Sequence, residues 1–471
     1  MTTRVEAAPT TQLRPSRAPA GDADVRVTPA VLSAPSVQTA PATAPAVPGT
    51  ARDGARLLRN GHVLTLSSLL TATLGAGFWM VATSWYSTAS VGRSYAAISA
   101  VSLLSGFGQL NLADVLVRFV PAAGRHTRRL VLRCYAASAL FSTLLAGLFL
   151  LLVPVLAPGL DYLRSPLGAA CFIAATCGYS IFVLQDGVLT GLRRAGWVLG
   201  ENALFAAVKT ALLLAFGIWA LSAGVLLSWA GALAVAMAMT NYYLFRHAVP
   251  RHQRAGAGAP APHRLLRYAA ADYLGALFRL SAYNVVPLIV LNRYGPVGNA
   301  YFSLAWVVGY SLFLAAYNMG SSMIVEAARC PERLEENARR ILRHSGLLMA
   351  AAAVLIVCCA PWVLALFGPE YSAHGTTLLR LLSLAALPNL LLGIAIDVAR
   401  ARRTLGWAVG LQAVLCVLVL GLTAWLLPVF GIAGVGVAWL LAECLLAVPL
   451  LLTLNRWLPR RPPPPPGRST P

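Results

Sequence analysis

The chain has 471 residues, of which 58% are hydrophobic and 11% charged, and its mean hydropathy is +0.69. Soluble domains carry roughly 25% charged residues, so this composition excludes a single water-soluble globule. The net charge of +21 would suggest a nucleic-acid partner, but the arginines stand at the ends of apolar runs, where they act as topology signals instead.

The predicted elements begin with an Ala/Pro-rich tail, residues 1–54, whose composition is typical of disorder. Twelve apolar runs follow, each near the ~20 residues that a helix needs to span a hydrocarbon core. They lie at about 61–85, 94–117, 132–157, 167–190, 198–219, 224–245, 270–292, 298–322, 344–367, 373–396, 406–427 and 433–455. Because the runs do not alternate, barrel strands are excluded, and the fold class is an all-α polytopic membrane protein with about 12 transmembrane helices.

The order of these spans predicts two lobes. An N-lobe of six transmembrane helices occupies residues 55–245, a cytoplasmic linker residues 246–268, and a C-lobe of six further helices residues 269–458. A Pro-rich cytoplasmic tail closes the chain at 459–471.

Arginine predicts the orientation, since positively charged loops stay in the cytoplasm. Alternate connections are rich in arginine, whereas those between them hold Arg93, Arg164, Arg293 and little else. We therefore expect a multi-pass protein of the cell membrane with both termini in the cytoplasm.

One polar segment is written twice. DGVLTGLRRAGW at 186–197 separates the fourth and fifth spans, and DVARARRTLGW at 397–407 separates the tenth and eleventh. Tyr86…Val91-Gly92 matches Tyr294…Val297-Gly298 at nearly the same offset. An even number of spans returns the chain to the same side, so the pattern predicts two parallel six-helix repeats around a central cavity, the geometry of alternating access.

The first repeat resembles a known family. The parts that carry the likeness are Tyr86…Val91-Gly92, the run to Leu112, and the segment VRFVP at 117–121, with GLRR at 191–194 and the stretch 400–404. These parts are similar to polysaccharide exporters of the multidrug/oligosaccharidyl-lipid/polysaccharide flippase superfamily. The likeness covers roughly residues 55–458 and neither tail.

The resemblance implies a flippase that moves a polyprenyl-pyrophosphate-linked oligosaccharide from the cytoplasmic to the outer leaflet, for cell-surface polysaccharide biosynthesis. Its expected partners are the lipid-linked oligosaccharide, membrane lipids and cell-envelope glycosyltransferases, and no nucleic acid. Such a cargo needs a partly cationic cavity for its pyrophosphate.

Basic residues inside spans are the candidates for that cavity, because a cation near the bilayer centre costs about 2.5–3.5 kcal/mol on insertion scales. The candidates are Lys209, Arg279, Arg118 and Arg380. Structural alternatives remain open for all four. Glu201, Asp272 and Asp114 can neutralise Lys209, Arg279 and Arg118 respectively, and Arg118 and Arg380 can extend to an interface.

The duplicated polar segment suggests one latch in each lobe. Asp186 would pair with Arg193 and Arg194, and Asp397 with Arg402 and Arg403. Simple bracing of the loop is the alternative.

Several functions are disfavoured by missing motifs. The sequence has no Walker A loop, no HExxH motif and no Cys/His metal spacing, and none of its eight cysteines forms a CxxC pair. We expect no enzyme activity, no catalytic residue, no metal site and no cofactor.

Three alternatives to the flippase stay open. The first is an ion-coupled antiporter of drugs or small solutes with the same fold. The first span holds no carboxylate, which counts against it, whereas Glu443 in the last span favours it. The others are a transporter of the major facilitator type and a scaffold that recruits cell-envelope enzymes.

Overall fold

The computed structural model describes residues 75–219, 221, 223–255, 265–329, 334–402 and 404–458, without the side chains of 195, 255, 265–272 and 318–329. Both predicted tails, the start of the first span and the centre of the predicted linker lie outside these residues. Within them the chain is helical almost throughout and has no strand, which confirms the all-α prediction.

Fourteen helices are described. They are α1 (75–85), α2 (Thr88–Gly108), α3 (Leu112–Ala123), α4 (Thr127–Leu156), α5 (Pro166–Gly191), α6 (Ala195–Ile218), α7 (Gly224–Tyr243), α8 (Val249–Ala255), α9 (Leu265–Arg329), α10 (Leu334–Ala365), α11 (Pro369–Ala401), α12 (Leu405–Phe430), α13 (Ala433–Leu452) and α14 (Leu454–Trp457). One π-helical turn, Leu244–Ala248, joins α7 to α8, so helix extends into the predicted linker.

Nine helical stretches among the described residues are long and apolar enough to cross a membrane. Twelve spans were predicted, and the difference has clear causes. The described part of the first span is short, and the seventh and eighth spans are merged in one stretch, Tyr273–Tyr317. Helix α2 is too rich in Ser and Gly to reach the hydropathy of a lipid-facing span, because most of its residues pack against protein.

Two left-handed residues correct the predicted second span, 94–117. Leu110 and Asn111 have φ angles of 52° and 55°, so α2 ends at Gly108 and α3 starts at Leu112. A left-handed conformation is uncommon for a residue with a Cβ and ends regular helical hydrogen bonding. The long helix α9 is similarly divided at Gly295, with φ of 68°, into a first arm (265–294) and a second arm (296–329).

The two halves repeat one contact. The Tyr86 hydroxyl donates to the Leu213 carbonyl of α6 at 2.8 Å, and the Tyr294 hydroxyl donates to the Leu427 carbonyl of α12 at 3.0 Å. The tyrosines belong to the two copies of the motif found in the sequence. Equivalent residues therefore join equivalent helices in both lobes.

The lobes meet along α2 and α9, at a surface that we call the seam. Near the start of α2, the Asn299 amide donates to the buried Gly92 carbonyl at 2.8 Å. A Cβ added to Gly92 would lie 1.8 Å from the Pro296 oxygen, so only glycine allows this approach.

The seam is also closed near the end of α2. The Tyr273 hydroxyl donates to the Phe107 carbonyl, and a Cβ added to Gly106 would lie 2.1 Å from Leu280 Cδ2. Both ends of the lobe-to-lobe contact are thus packed in this structure. Opening either end requires the first or second arm of α9 to move away from α2.

Candidate functional site

A cavity of about 70 Å³ with polar groups in its wall lies inside the C-lobe, between both arms of α9, α11 and α12. Its charged and amide side chains are Arg279, Asn389, Asp397, Arg400 and Gln412. Three tyrosines, 283, 310 and 317, complete the polar lining. A cluster of this kind within membrane-spanning helices is a candidate functional site, because polar groups are costly there.

Arg279 is the predicted cation that reaches this cavity. Its guanidinium carbon lies 5.2 Å from the centre of the Tyr317 ring. The Nε atom is buried and has no hydrogen-bond partner among the described residues. An unsatisfied buried donor is costly, so this N–H is available to an acceptor that enters the cavity. The side chain of Asp272, the predicted neutralising partner, lies outside the described residues.

Asp397 forms an ion pair with Arg400 at 3.6 Å, and both side chains are at least 90% buried. Arg402, one of its predicted latch partners, makes different contacts. It donates to a Glu335 oxygen at 2.8 Å and to the Trp457 carbonyl at 2.7 Å. Arg402 thus ties the end of α11 to α10 and α14. Arg403 lies outside the described residues.

A second buried carboxylate lies next to the cavity. Glu443 of α13 is fully buried and accepts a hydrogen bond from the Asn389 amide at 2.8 Å. Its other oxygen has no hydrogen-bond partner in the part of the chain that the structure describes. Asn389 lines the cavity, so it connects this carboxylate to the cavity wall.

The N-lobe buries its acids in a different way. Asp186 and Glu201 are 4% and 2% exposed, and neither forms an ion pair with any described residue. Asp186 Oδ1 has no hydrogen-bond partner among the described residues, and the Glu201 carboxylate interacts with the Thr240 side chain. Arg193 and Arg194, the predicted latch partners of Asp186, are exposed at the turn between α5 and α6.

Lys209 is buried in the N-lobe and does not line the C-lobe cavity. Its ammonium nitrogen lies 4.3 Å from the ring centre of Phe78 and 5.3 Å from that of Phe205. The two rings hold the charge by cation–π attraction, which is worth about 2 kcal/mol or more where water is excluded. The ion pair with Glu201 that the sequence suggested is not formed among the described contacts.

The remaining predicted cations lie on helix surfaces. Arg118 is exposed on α3, and Arg380 is exposed on α11, where its Nε donates to the Val357 carbonyl of α10 at 3.0 Å. No contact among the described residues therefore brings any two of the four predicted cations together. Among the described residues, no group of His, Cys, Asp and Glu side chains is arranged to hold a metal ion.

Sequence reasoning left several cavity residues without a role. Arg400 was counted among the loop arginines, and Tyr283, Tyr310 and Tyr317 were not singled out. Tyr310 and Tyr317 are seven residues apart, which places them on one face of the second arm. That spacing was the available signal.

The fold is similar to those of solved transporters. One is a multidrug resistance MATE family transporter of the MOP superfamily in an inward-facing conformation, with a TM-score of 0.56, 16% identity, and coverage of 81% of this chain and 94% of that one. Another is such a transporter in an outward-facing conformation, with a TM-score of 0.55, 17% identity, and coverage of 87% and 96%.

A third similar structure is a MOP superfamily transporter from Pyrococcus furiosus, described as having a binding pocket of reversed polarity. Its TM-score is 0.56 and its identity 15%, with coverage of 87% of this chain and 96% of that one. No protein-family model matches the sequence, and no curated protein matches it. The fold therefore resembles that of MATE transporters, which have twelve transmembrane helices.

Proposed function

We propose that this protein is a flippase that moves a polyprenyl-pyrophosphate-linked oligosaccharide from the cytoplasmic to the outer leaflet by alternating access of its two lobes. The fold supports a moving transporter, since similar proteins have been solved in inward-facing and outward-facing conformations. The seam, closed at both ends of α2, is the surface that would open.

The observation that carries an anionic cargo is the unpartnered Arg279 N–H in the C-lobe cavity. Guanidinium groups bind phosphate oxygens through charge-assisted hydrogen bonds, and a cationic drug would be repelled. The next residue, Leu280, packs against Gly106 at the seam. If the first arm of α9 moved away from α2 during opening, the cavity around Arg279 would lie beside the space between the lobes.

The cavity as it stands is far too small for a glycan, and it is therefore proposed as the contact point for the pyrophosphate only. The oligosaccharide would occupy the space that forms when the seam opens. The polyprenyl chain would remain in lipid, because no helix can replace the bilayer as solvent for so long an apolar tail.

The experiment is depletion of the protein in its host, followed by mass spectrometry of lipid-linked glycans. We expect a lipid-linked oligosaccharide to accumulate on the inner leaflet, inaccessible to lectins added to intact cells. Complementation with Arg279→Gln should fail at wild-type abundance. Arg164→Gln is the matched control, since Arg164 pairs with Asp161 in an exposed loop. Depletion without accumulation would refute the flippase.

An ion-coupled antiporter of drugs or small solutes is the second candidate. The observation in its favour is the burial of Glu443, Asp186 and Glu201 inside the lobes, since coupling to protons or sodium uses buried carboxylates. For this function, Glu443→Gln should abolish drug resistance although the hydrogen bond from Asn389 is retained. The flippase predicts no change in drug sensitivity on depletion.

A further inference from the structure

A basic groove of about 500 Å³ lies at the start of α4, far from the cavity of the C-lobe. We call it the N-lobe groove. Its main lining residues are Arg125, His126, Arg128, Arg129, Leu132 and Arg133. Four arginines around one groove form a strongly positive site.

These arginines have no counter-ion among the described residues. None of the four forms an ion pair with a described residue, and the first turn of α4 contains no acid. The corresponding helix of the C-lobe differs, because α10 begins with Glu335 and Glu336. A positive groove without internal counter-ions attracts an external anion.

The groove is held in shape by the helix that follows α7. The Gln253 amide of α8 donates to the Arg125 carbonyl at 2.7 Å, and the His252 ring contacts the Val120 carbonyl at 2.9 Å. The Thr127 hydroxyl donates to the Gly124 carbonyl at 2.8 Å. These bonds hold the short connection between α3 and α4 from both sides. The backbone that carries the arginines is therefore fixed in position.

An apolar stripe leads from the groove along the outer surface of α4. Leu132 and Ala136 form one wall of the groove. Leu140, Leu144 and Leu148 continue the same i, i+4 ridge and are 59%, 60% and 53% exposed. Residues 132 to 148 extend about 24 Å at 1.5 Å per residue, which exceeds half of a ~30 Å hydrocarbon core.

We propose that the N-lobe groove binds the phosphate of an anionic membrane phospholipid, whose acyl chain lies along the stripe on α4. The arginines supply donors for the phosphate oxygens. The continuity of charge and apolar surface on one helix favours a lipid over a soluble anion, which has no use for the stripe. Basic pockets beside membrane-spanning helices are suited to such headgroups. The site is independent of the transported cargo.

Native mass spectrometry of the full-length protein in detergent tests the site. Delipidated protein would be titrated with phosphatidylglycerol and, in parallel, with phosphatidylcholine of the same acyl chains. The test variant is Arg129→Gln/Arg133→Gln. The matched control is Arg340→Gln/Arg343→Gln, which removes two exposed arginines from α10 of the other lobe.

We expect the wild type and the control each to retain one tightly bound phosphatidylglycerol that the test variant lacks. In the test variant the affinity for this phosphatidylglycerol should fall about 25-fold, since each of the two basic side chains near the headgroup contributes roughly fivefold. Phosphatidylcholine should not fill the site. Equal losses in the two double variants, or equal binding of both lipids, would overturn the proposal.

The source of the phosphate is tested separately. Inorganic phosphate and pyrophosphate should fail to displace the retained phosphatidylglycerol, and displacement by either would show a site for soluble anions instead. Leu140→Ala/Leu144→Ala should weaken long-chain phosphatidylglycerol more than a short-chain form. An unchanged ratio between the two chain lengths would remove the stripe from the site.

Discussion

Each lobe buries an aspartate at a corresponding position, but the two aspartates differ in their ion-pair partners. Asp397 of the C-lobe lies 3.6 Å from Arg400, three residues further along α11. Asp186 of the N-lobe forms no ion pair with a described residue, and the position three residues further along α5 is Leu189.

The difference extends to the neighbouring groups. The C-lobe surrounds its acid with Arg279, Asn389 and Gln412 at a cavity. The N-lobe places a second acid, Glu201, in the same core and keeps Lys209 between two phenylalanines. A duplicated helical unit can thus retain its backbone while its polar interior diverges, because the helices are fixed by apolar packing and repeated contacts such as those of Tyr86 and Tyr294.

Replacing Gly92 should have the strongest effect on transport, because the change disrupts the contact between the lobes. Gly92→Leu places a side chain where a Cβ would already lie 1.8 Å from the Pro296 oxygen and 2.9 Å from the Ala300 nitrogen. Because both atoms are backbone of the other lobe, the seam cannot close at this end, and transport should fall to background.

Gly147→Leu is the control for this change, since a Cβ at Gly147 meets nothing within 4 Å. The measurement is transport at equal protein abundance, together with disulfide trapping across the seam. Wild-type transport by Gly92→Leu would show that closure at this end is not part of the cycle.

Replacing each of the two buried aspartates should have a smaller effect, and it measures how far their contributions to stability differ. Asp397→Asn removes the carboxylate that pairs with the buried Arg400 and should destabilise the protein by about 3–5 kcal/mol. Asp186→Asn removes a buried acid that has no ion-pair partner among the described residues and should leave the stability unchanged or raised. Thermal unfolding of the purified protein in detergent measures both.

Asp397→Asn/Arg400→Gln is the control, and it should regain part of the stability that the single Asp397→Asn change loses. Equal melting temperatures for the two single variants would mean that the ion pair does not distinguish the lobes.

The weakest effect is expected from removing the tyrosine hydrogen bond that is repeated in each lobe. Tyr86→Phe and Tyr294→Phe each remove one hydroxyl that donates to a helix carbonyl. Each change should cost about 1 kcal/mol, the typical net contribution of one hydrogen bond. Thermal unfolding should show similar losses for the two variants. A large loss at one tyrosine alone would indicate that the two contacts are no longer equivalent.

The candidate site shows the limit of reading a span from its sequence. Arg279 and Arg380 both lie inside predicted spans, yet Arg279 lines a cavity, whereas Arg380 is exposed on the helix surface and donates a hydrogen bond to α10. Lys209 is buried as expected for a functional cation, but its neighbours are two aromatic rings. Hydropathy fixes how deep a residue lies in the membrane and leaves open which side of the helix it occupies.

The all-α membrane class, the approximate positions of the spans and the duplicated motifs follow from the order of the amino acids, because lipid forces long apolar helices and a repeat preserves its spacing. The packing of the helices, by contrast, decided that Asp397 pairs with Arg400 while Arg402 reaches Glu335. It also decided that Gly92 meets Pro296 across the seam. These choices depend on how each helix is rotated and packed against its neighbours, and that is set by contacts between residues far apart in the chain.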